Sequence, residues 1–177
     1  MSKPLVGIVM GSDSDLPVMK EAAAILDELE ITWEAVISSA HRVPDKTAAY
    51  ARDAAGRGLA VIIAGAGGAA HLPGVIAAYT PLPVIGVPIK TGALNGIDAL
   101  YAIVQMPSGV PVATVAINGA RNAGILAAQI IGASDPEVRS RVAAYKERLA
   151  QQVLAKDNDL SEMGLKAYLE RQERKEK

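Results

Sequence analysis

The sequence contains no cysteine and no phenylalanine, and its aromatic side chains amount to one tryptophan and five tyrosines among 177 residues. Without cysteine there can be no disulfide, thiolate nucleophile or thiolate metal ligand. With so few rings to stack on and a net charge of −1, the chain lacks both the platforms and the positive field that nucleic acid requires, so no nucleic-acid partner is expected. Only two histidines occur, His41 and His71, far from H-x-x-x-H spacing, which argues against a zinc site. Apolar runs are interrupted every few residues by Gly, Pro or charge, and none approaches the roughly 18 residues of a membrane span. Met1, Ser2, Lys3 and Pro4 do not begin the apolar region of a signal peptide. A soluble, cytoplasmic protein without membrane contact is the expectation. Neither a G-x-x-x-x-G-K-[ST] phosphate loop nor a G-x-S-x-G elbow is present, so any chemistry has to come from imidazole, hydroxyl, carboxylate, guanidinium and backbone.

What is present is a strongly patterned apolar half. Hydrophobic residues make up 50% of the chain, enough for one substantial core, and the Ala- and Gly-rich composition lets elements approach closely while leaving little apolar area per residue to bury. Subunit association is one way to recover that burial. Leu5–Met10 reads as a strand, followed by a tight polar loop and a helix to about Glu30, with Leu16, Met19, Ala23, Leu26 and Leu29 at steps of three or four. Trp33–Ser38 reads as a second strand, with a helix from about Pro44 to Arg57. Leu59–Ala64 is the continuous apolar run of a strand covered on both faces. Val84–Val87 and Val112–Ile117 follow as strands, separated by a helix from about Gly96 to Gln105; a helix from Asn118 to about Ile131 comes next. Repeated strand-then-helix order predicts a three-layer α/β domain with a parallel sheet of about five strands. Val138, Val142, Tyr145, Leu149 and Gln152 or Val153 form a narrow stripe on a helix starting near Asp135-Pro136, and it predicts an intersubunit contact. One α/β catalytic domain is expected over residues 1–156, with a charged helical tail, docked or frayed, over 157–177.

In an open parallel sheet, ligands bind beyond the carboxyl ends of the strands. Three loops stand there: 11–15, 38–44 and 65–74, and both histidines fall in them. In the first loop, Ser12, Ser14 and Asp15 serve either as a helix cap or as a site in which hydroxyls and free N–H groups take a phosphate and Asp15 takes ribose hydroxyls. In the second, Arg42 makes either a surface ion pair or a forked contact to phosphate or carboxylate, with Ser38 and Ser39 as further donors. His41 is either a satisfied loop side chain or a proton carrier, because an unperturbed imidazole titrates at about 6.5. In the third, Gly65, Gly67 and Ala70 fit the dinucleotide pattern G-x-G-x-x-A. Against that reading, the loop follows the third strand, no acid lies near 87–90, and Pro73 and Gly74 interrupt the expected helix. Close backbone approach to a small carboxylate or planar ring is preferred.

The strings Met10-Gly11-Ser12-Asp13-Ser14-Asp15, Ser39-Ala40-His41-Arg42-Val43-Pro44, Ala64-Gly65-Ala66-Gly67-Gly68-Ala69-Ala70-His71-Leu72-Pro73-Gly74 and Ile103-Val104-Gln105-Met106-Pro107-Ser108-Gly109-Val110-Pro111-Val112 resemble those of the 5-(carboxyamino)imidazole ribonucleotide mutases, class I bacterial type, over about residues 5–150. Val43 stands where the family commonly has Thr, and Ser108 where Gly or Arg is frequent. The resemblance implies a flavodoxin-like fold, a homo-octamer, no cofactor or metal, and a place after the ATP-dependent carboxyaminoimidazole ribonucleotide synthase in purine biosynthesis.

It further implies that Ser12, Asp15 and Arg42 bind the ribonucleotide, with Ser14 beside them, and that His41 is the catalytic acid and base. Ser39, Ala66, Gly67 and His71 would border the imidazole and its carboxylate. In the implied mechanism His41 protonates the carbamate nitrogen, carbon dioxide is released and held, C4 attacks it, and neutral His41 removes the C4 proton. The rival readings are a direct carboxylase of aminoimidazole ribonucleotide, and a non-catalytic flavodoxin-like module that binds a phosphorylated ligand or flavin. Scarce aromatics near the three loops disfavour flavin.

Overall fold

The computed structural model describes residues 5–175; the reading of Met1–Pro4 and the end of the 157–177 tail lie outside the described residues. Five strands, β1 (Val6–Met10), β2 (Trp33–Ile37), β3 (Val61–Gly67), β4 (Val84–Ile89) and β5 (Ala113–Thr114), form one sheet of order β2-β1-β3-β4-β5, with every pairing parallel. This is the flavodoxin-like order, and its direction reverses between β1 and β3. The helices are α1 (Leu16–Glu28), α2 (Pro44–Arg57), α3 (Leu72–Tyr79), α4 (Ile97–Val104), α5 (Ala120–Gly132) and α6 (Pro136–Lys175).

Side chains alternate across the central strands and build a core on each face. Val6, Ile8, Met10, Val61, Ile63, Ile85 and Val87 pack with α1, α5 and the start of α6. Val9, Ile62, Ala64 and Val84 pack with α2, α3 and α4. Small residues permit close approach: a Cβ on Gly124 of α5 would lie 2.3 Å from Ile25 Cγ2 and 3.0 Å from the Ala22 carbonyl of α1.

The structure differs from the sequence reading in four places. Pro73 and Gly74 do not interrupt a helix; they lie in the first turn of α3, where a proline costs no intrahelical hydrogen bond. The fifth strand is two residues long instead of the six of Val112–Ile117. The carbonyls of Gly86 and Pro88 accept from Val115 and Asn118, so the N–H that Pro88 lacks is missing on the β5 side, where the ladder stops. Val138, Val142 and Tyr145 of the α6 stripe are buried in the protein's own core and not held for another subunit, whereas Leu149 and Val153 are exposed. Finally, no break separates the 136–153 helix from the expected tail: α6 runs on through 157–159 to Gly164, a residue at φ 76° that breaks the helical path. Arg171 pairs with Asp159, twelve residues earlier and about 18 Å away along an unbroken helix, so the chain folds back at Gly164. Among the described residues, no helix is long and apolar enough to cross a membrane.

Candidate active site

The cleft lies at the switch point, where the loops after β1, β2 and β3 meet. Its cavity, about 420 Å³, is lined by Gly11, Ser12, Ser14, Asp15, Ser39, Ala40, His41, Arg42, Ala66, Gly67, Gly68, Ala69, Leu72 and Thr91.

The β1–α1 loop caps itself. Ser12 Oγ accepts from the Ser14 amide at 3.3 Å, and the Ser12 amide donates to Asp15 Oδ2 at 3.2 Å, a reciprocal capping box around a single 3₁₀ turn, Asp13–Asp15. Asp15 is 5% exposed. Burial pushes its carboxyl above the usual aspartate value of 3.8, while hydrogen bonds from Ser12, Ser14 and Gly11 pull it partway back. The cap reading thus applies, and the same residues also face the cleft.

The β2–α2 loop is a tight turn. Its buried root is Ser38, whose hydroxyl shares a 2.8 Å hydrogen bond with Thr47 of α2. Ser39 accepts the Arg42 amide at 3.3 Å through Oγ and the Val43 amide at 2.9 Å through its carbonyl, which leaves His41 and Arg42 exposed at the tip. The Arg42 guanidinium crosses to the first loop, where Nη2 donates to the Gly11 carbonyl at 2.8 Å. It makes no ion pair shown among the described residues, leaving its positive charge at the boundary between this cleft and a second one. That second cavity, also about 420 Å³, is lined by Gly11, Ser12, Asp13, Ile37, Ser39, Arg42, Val43 and Lys46.

The β3–α3 loop brings Ala66, Gly67 and Gly68 close to the β4 end. A Cβ on Gly67 would lie 2.6 Å from Thr91 Cγ2. His71 stands at the start of α3 but does not line the cavity; its Nδ1 is 2.9 Å from His41 Nε2. Of the residues singled out from sequence, Ser12, Ser14, Asp15, Ser39, His41, Arg42, Ala66 and Gly67 are thus gathered around one cleft, and His71 stands behind His41. Thr91 and Lys46 escaped sequence reading. Thr91 follows the fourth strand, and only the sheet order that sets β4 beside β3 brings it to the cleft. Lys46 reads as an ordinary surface residue of α2. Among the described residues, no three of His, Cys, Asp and Glu come together in a way that could hold a metal ion.

A parallel 2-1-3-4-5 sheet with hydroxyls, a guanidinium and an imidazole pair at its switch point defines a flavodoxin-like α/β protein with a polar cleft at the carboxyl ends of its strands. Residues 5–152 match the family model described as AIR carboxylase, and the chain belongs to that family. It is 62% identical over 170 residues to the N5-carboxyaminoimidazole ribonucleotide mutase of Thermotoga maritima, covering 96% of this chain and 99% of that one. It is 59% identical to the Pyrococcus horikoshii mutase, covering 94% of each. The phosphoribosylaminoimidazole carboxylase of Schizosaccharomyces pombe is 56% identical over 95% of this chain, the match taking up 30% of that longer protein. The crystal structure of Treponema denticola PurE superposes with a TM-score of 0.80 at 30% identity, covering 89% of this chain and 98% of that one.

Proposed function

We propose that this chain is the mutase that converts 5-(carboxyamino)imidazole ribonucleotide to 4-carboxy-5-aminoimidazole ribonucleotide in purine biosynthesis. The observation that carries the reading is the meeting of His41, Arg42, Ser12 and Asp15, from two different loops, around one cavity of ribonucleotide size. High identity to relatives named as mutases over nearly the full length of both chains supports the same activity.

In this reading Arg42, Ser12, Ser14 and Ser39 hold the phosphate by charge-assisted and hydroxyl hydrogen bonds. Asp15 receives ribose hydroxyls, and Ala66 and Gly67 let the backbone approach the imidazole and its carboxylate. Protonated His41 gives its proton to the carbamate nitrogen as the bond from that nitrogen to the carboxyl carbon breaks. The carbon dioxide stays in the cleft at high effective concentration, C4 bonds to it, and neutral His41 takes the C4 proton. One imidazole thus ends in the state in which it began, and the net reaction consumes nothing.

Incubation with the carbamate ribonucleotide, without ATP, should yield the C4-carboxylated product; no product would remove the assignment. A second reading, direct carboxylation of aminoimidazole ribonucleotide, draws support from the yeast carboxylases that share 55–56% identity with this chain. Labelled bicarbonate separates the two, because the mutase retains the substrate's own carboxyl and a carboxylase incorporates label.

The same proposal extends to assembly and setting. Ile97, Tyr101 and Val104 are 50–58% exposed at steps of four and three along one side of α4, with Leu94, 61% exposed, in the turn before it, a seam suited to a second copy of the chain. We read the protein as a homo-octamer, cytoplasmic, that receives its unstable carbamate substrate from the ATP-dependent synthase. Residues 1–156 would be the catalytic unit and 157–177 an appendage to it. Sedimentation should show eight-chain particles, and aspartates at Ile97 and Tyr101 should reduce them to smaller species.

A further inference from the structure

The cavity at the switch point is divided by chemistry along the order of the strands. The loops after β2 and β1 line one half with Arg42, Ser39, Ser12, Ser14 and Asp15. The loops after β3 and β4 line the other with alanine, glycine, Leu72 from the first turn of α3, and Thr91. Among the described residues this second half has no charged side chain, and the Thr91 hydroxyl is its one side-chain hydrogen-bonding group. Thr91 is fitted closely to the glycine loop. A Cβ on Gly67 would lie 2.6 Å from Thr91 Cγ2 and 2.9 Å from its Oγ1, so the threonine lies against the glycine backbone in space that any other residue at 67 would fill. The end of β4 is tied down from the far side. The Lys90 amide donates to Asn118 Oδ1 at 2.9 Å, the Asn118 amide donates to the Pro88 carbonyl at 2.8 Å, and Gly92, at φ 57°, turns the chain directly after Thr91.

We infer that Thr91 is a catalytic residue of the carboxyl transfer: its hydroxyl donates to one oxygen of the released carbon dioxide and holds the molecule until C4 attacks. The inference rests on the mutase reading. The two halves of the cavity sort the parts of the ligand. Phosphate and ribose need a cation, donors and acceptors, which the β1 and β2 loops supply. As the bond from nitrogen to the carboxyl carbon breaks, its electron pair stays on nitrogen, which takes the proton from His41, and the carboxylate becomes a neutral molecule. Arg42 then loses most of its attraction for it, whereas the small, uncharged half of the cavity accepts it without a desolvation cost. Its oxygens remain weak acceptors, so one hydroxyl orients it without trapping it. When the C4 electron pair attacks the carbon, negative charge returns to those oxygens and the hydrogen bond from Thr91 strengthens, a contact worth most in the transition state. The C4 proton passes to His41.

The experiment supplies carbamate ribonucleotide with a labelled carboxyl. It measures the ratio of label lost to solution, as aminoimidazole ribonucleotide escapes, to label kept in the product, after subtraction of the loss without enzyme. The wild type should keep nearly all of it. Thr91→Val, which retains the shape and removes the donor, should raise the lost-to-kept ratio about tenfold. Ribonucleotide affinity, set in the Arg42 half, should change by less than about threefold in that variant. Thr91→Ser, which retains the donor and removes the methyl group against Gly67, should stay within about threefold of the wild-type ratio. A space-filling side chain would give the opposite order, with Ser leaking and Val like wild type. Thr91 is exposed, so both substitutions leave the cores untouched. A wild-type ratio in the Val variant, a Ser variant that leaks as much as Val, or a loss of about tenfold in ribonucleotide affinity in the Val variant would each overturn the inference. Failure of the mutase reading is separate: the wild type itself would form no product from the carbamate, or would take the product's carboxyl from bicarbonate.

Discussion

Asp15 holds the first loop in shape and also faces the cleft, and its environment records the conflict. A buried carboxylate is costly to ionise, and the amides it accepts offset only part of that cost. Its folded-state pKa is raised, so its contribution to stability is fully present below 3.8 and is lost as pH rises through the folded value. Asp15→Asn keeps an acceptor and removes the charge. Its melting temperature relative to wild type should be more favourable at pH 7 than near pH 4, while ribonucleotide affinity falls; thermal scans at the two pH values and calorimetry check both. His41 carries the opposite expectation. It is exposed on a loop tip, so His41→Asn should leave the melting temperature and ribonucleotide binding nearly unchanged and lower kcat by about 10²–10⁴-fold. Turnover close to wild type in that variant would refute its role.

At the level of elements, the helices sit close to the sheet and to one another because so many contact positions are Ala or Gly. In α5, Ala120, Ala123, Gly124, Ala127 and Ala128 are all buried, and Gly124 leaves no room for a side chain against α1. Gly124→Val should therefore cost about 1–3 kcal/mol by overpacking, read as a lower denaturant midpoint, and a wild-type midpoint would show that the two helices can move apart. Such a cost reaches the site, since α1 starts at Leu16, directly after Asp15. Surface pairs also tie elements together. The Arg57 guanidinium beside Glu34 holds that carboxyl below its usual range, and Tyr50 donates to it as well. Glu34 therefore adds stability that is present above 4.5 and lost as pH falls through its lowered folded value.

The whole molecule is a two-faced core with a long arm. Every residue from 146 to 158 is exposed, and an isolated helix with solvent on all sides gains nothing from tertiary packing. Leu149, Val153 and Leu154 on that arm are 42–64% exposed, which fits a face covered in an assembly. A chain ending at residue 156 keeps both cores. It should retain the far-UV spectrum of the α/β unit and a melting temperature within about 3 °C of the full chain, because surface changes away from core and caps are typically worth under ~0.5 kcal/mol. A collapse of the melting temperature would place part of the core beyond that point.

Much of this protein could be read one residue at a time. The strand runs, the polar loops that follow them, the two histidines placed in those loops and the Ser-Asp cap are local patterns, governed by neighbours a few positions away. Four motifs in order were enough to point to the family. Other features arise from juxtaposition. The missing N–H of Pro88 shortens β5 because of which strand it faces, and Val138, Val142 and Tyr145 are core because α6 returns over α5. Thr91 reaches the cleft because β4 lies beside β3, and His41 meets His71 across thirty residues of chain because β1 separates their parent strands by a single place in the sheet. A sequence can specify which side chains carry chemistry, since that depends on residue type. Which of those side chains meet around one cleft depends on the order of the strands and on what the loops bring within hydrogen-bond reach, and only folding decides that.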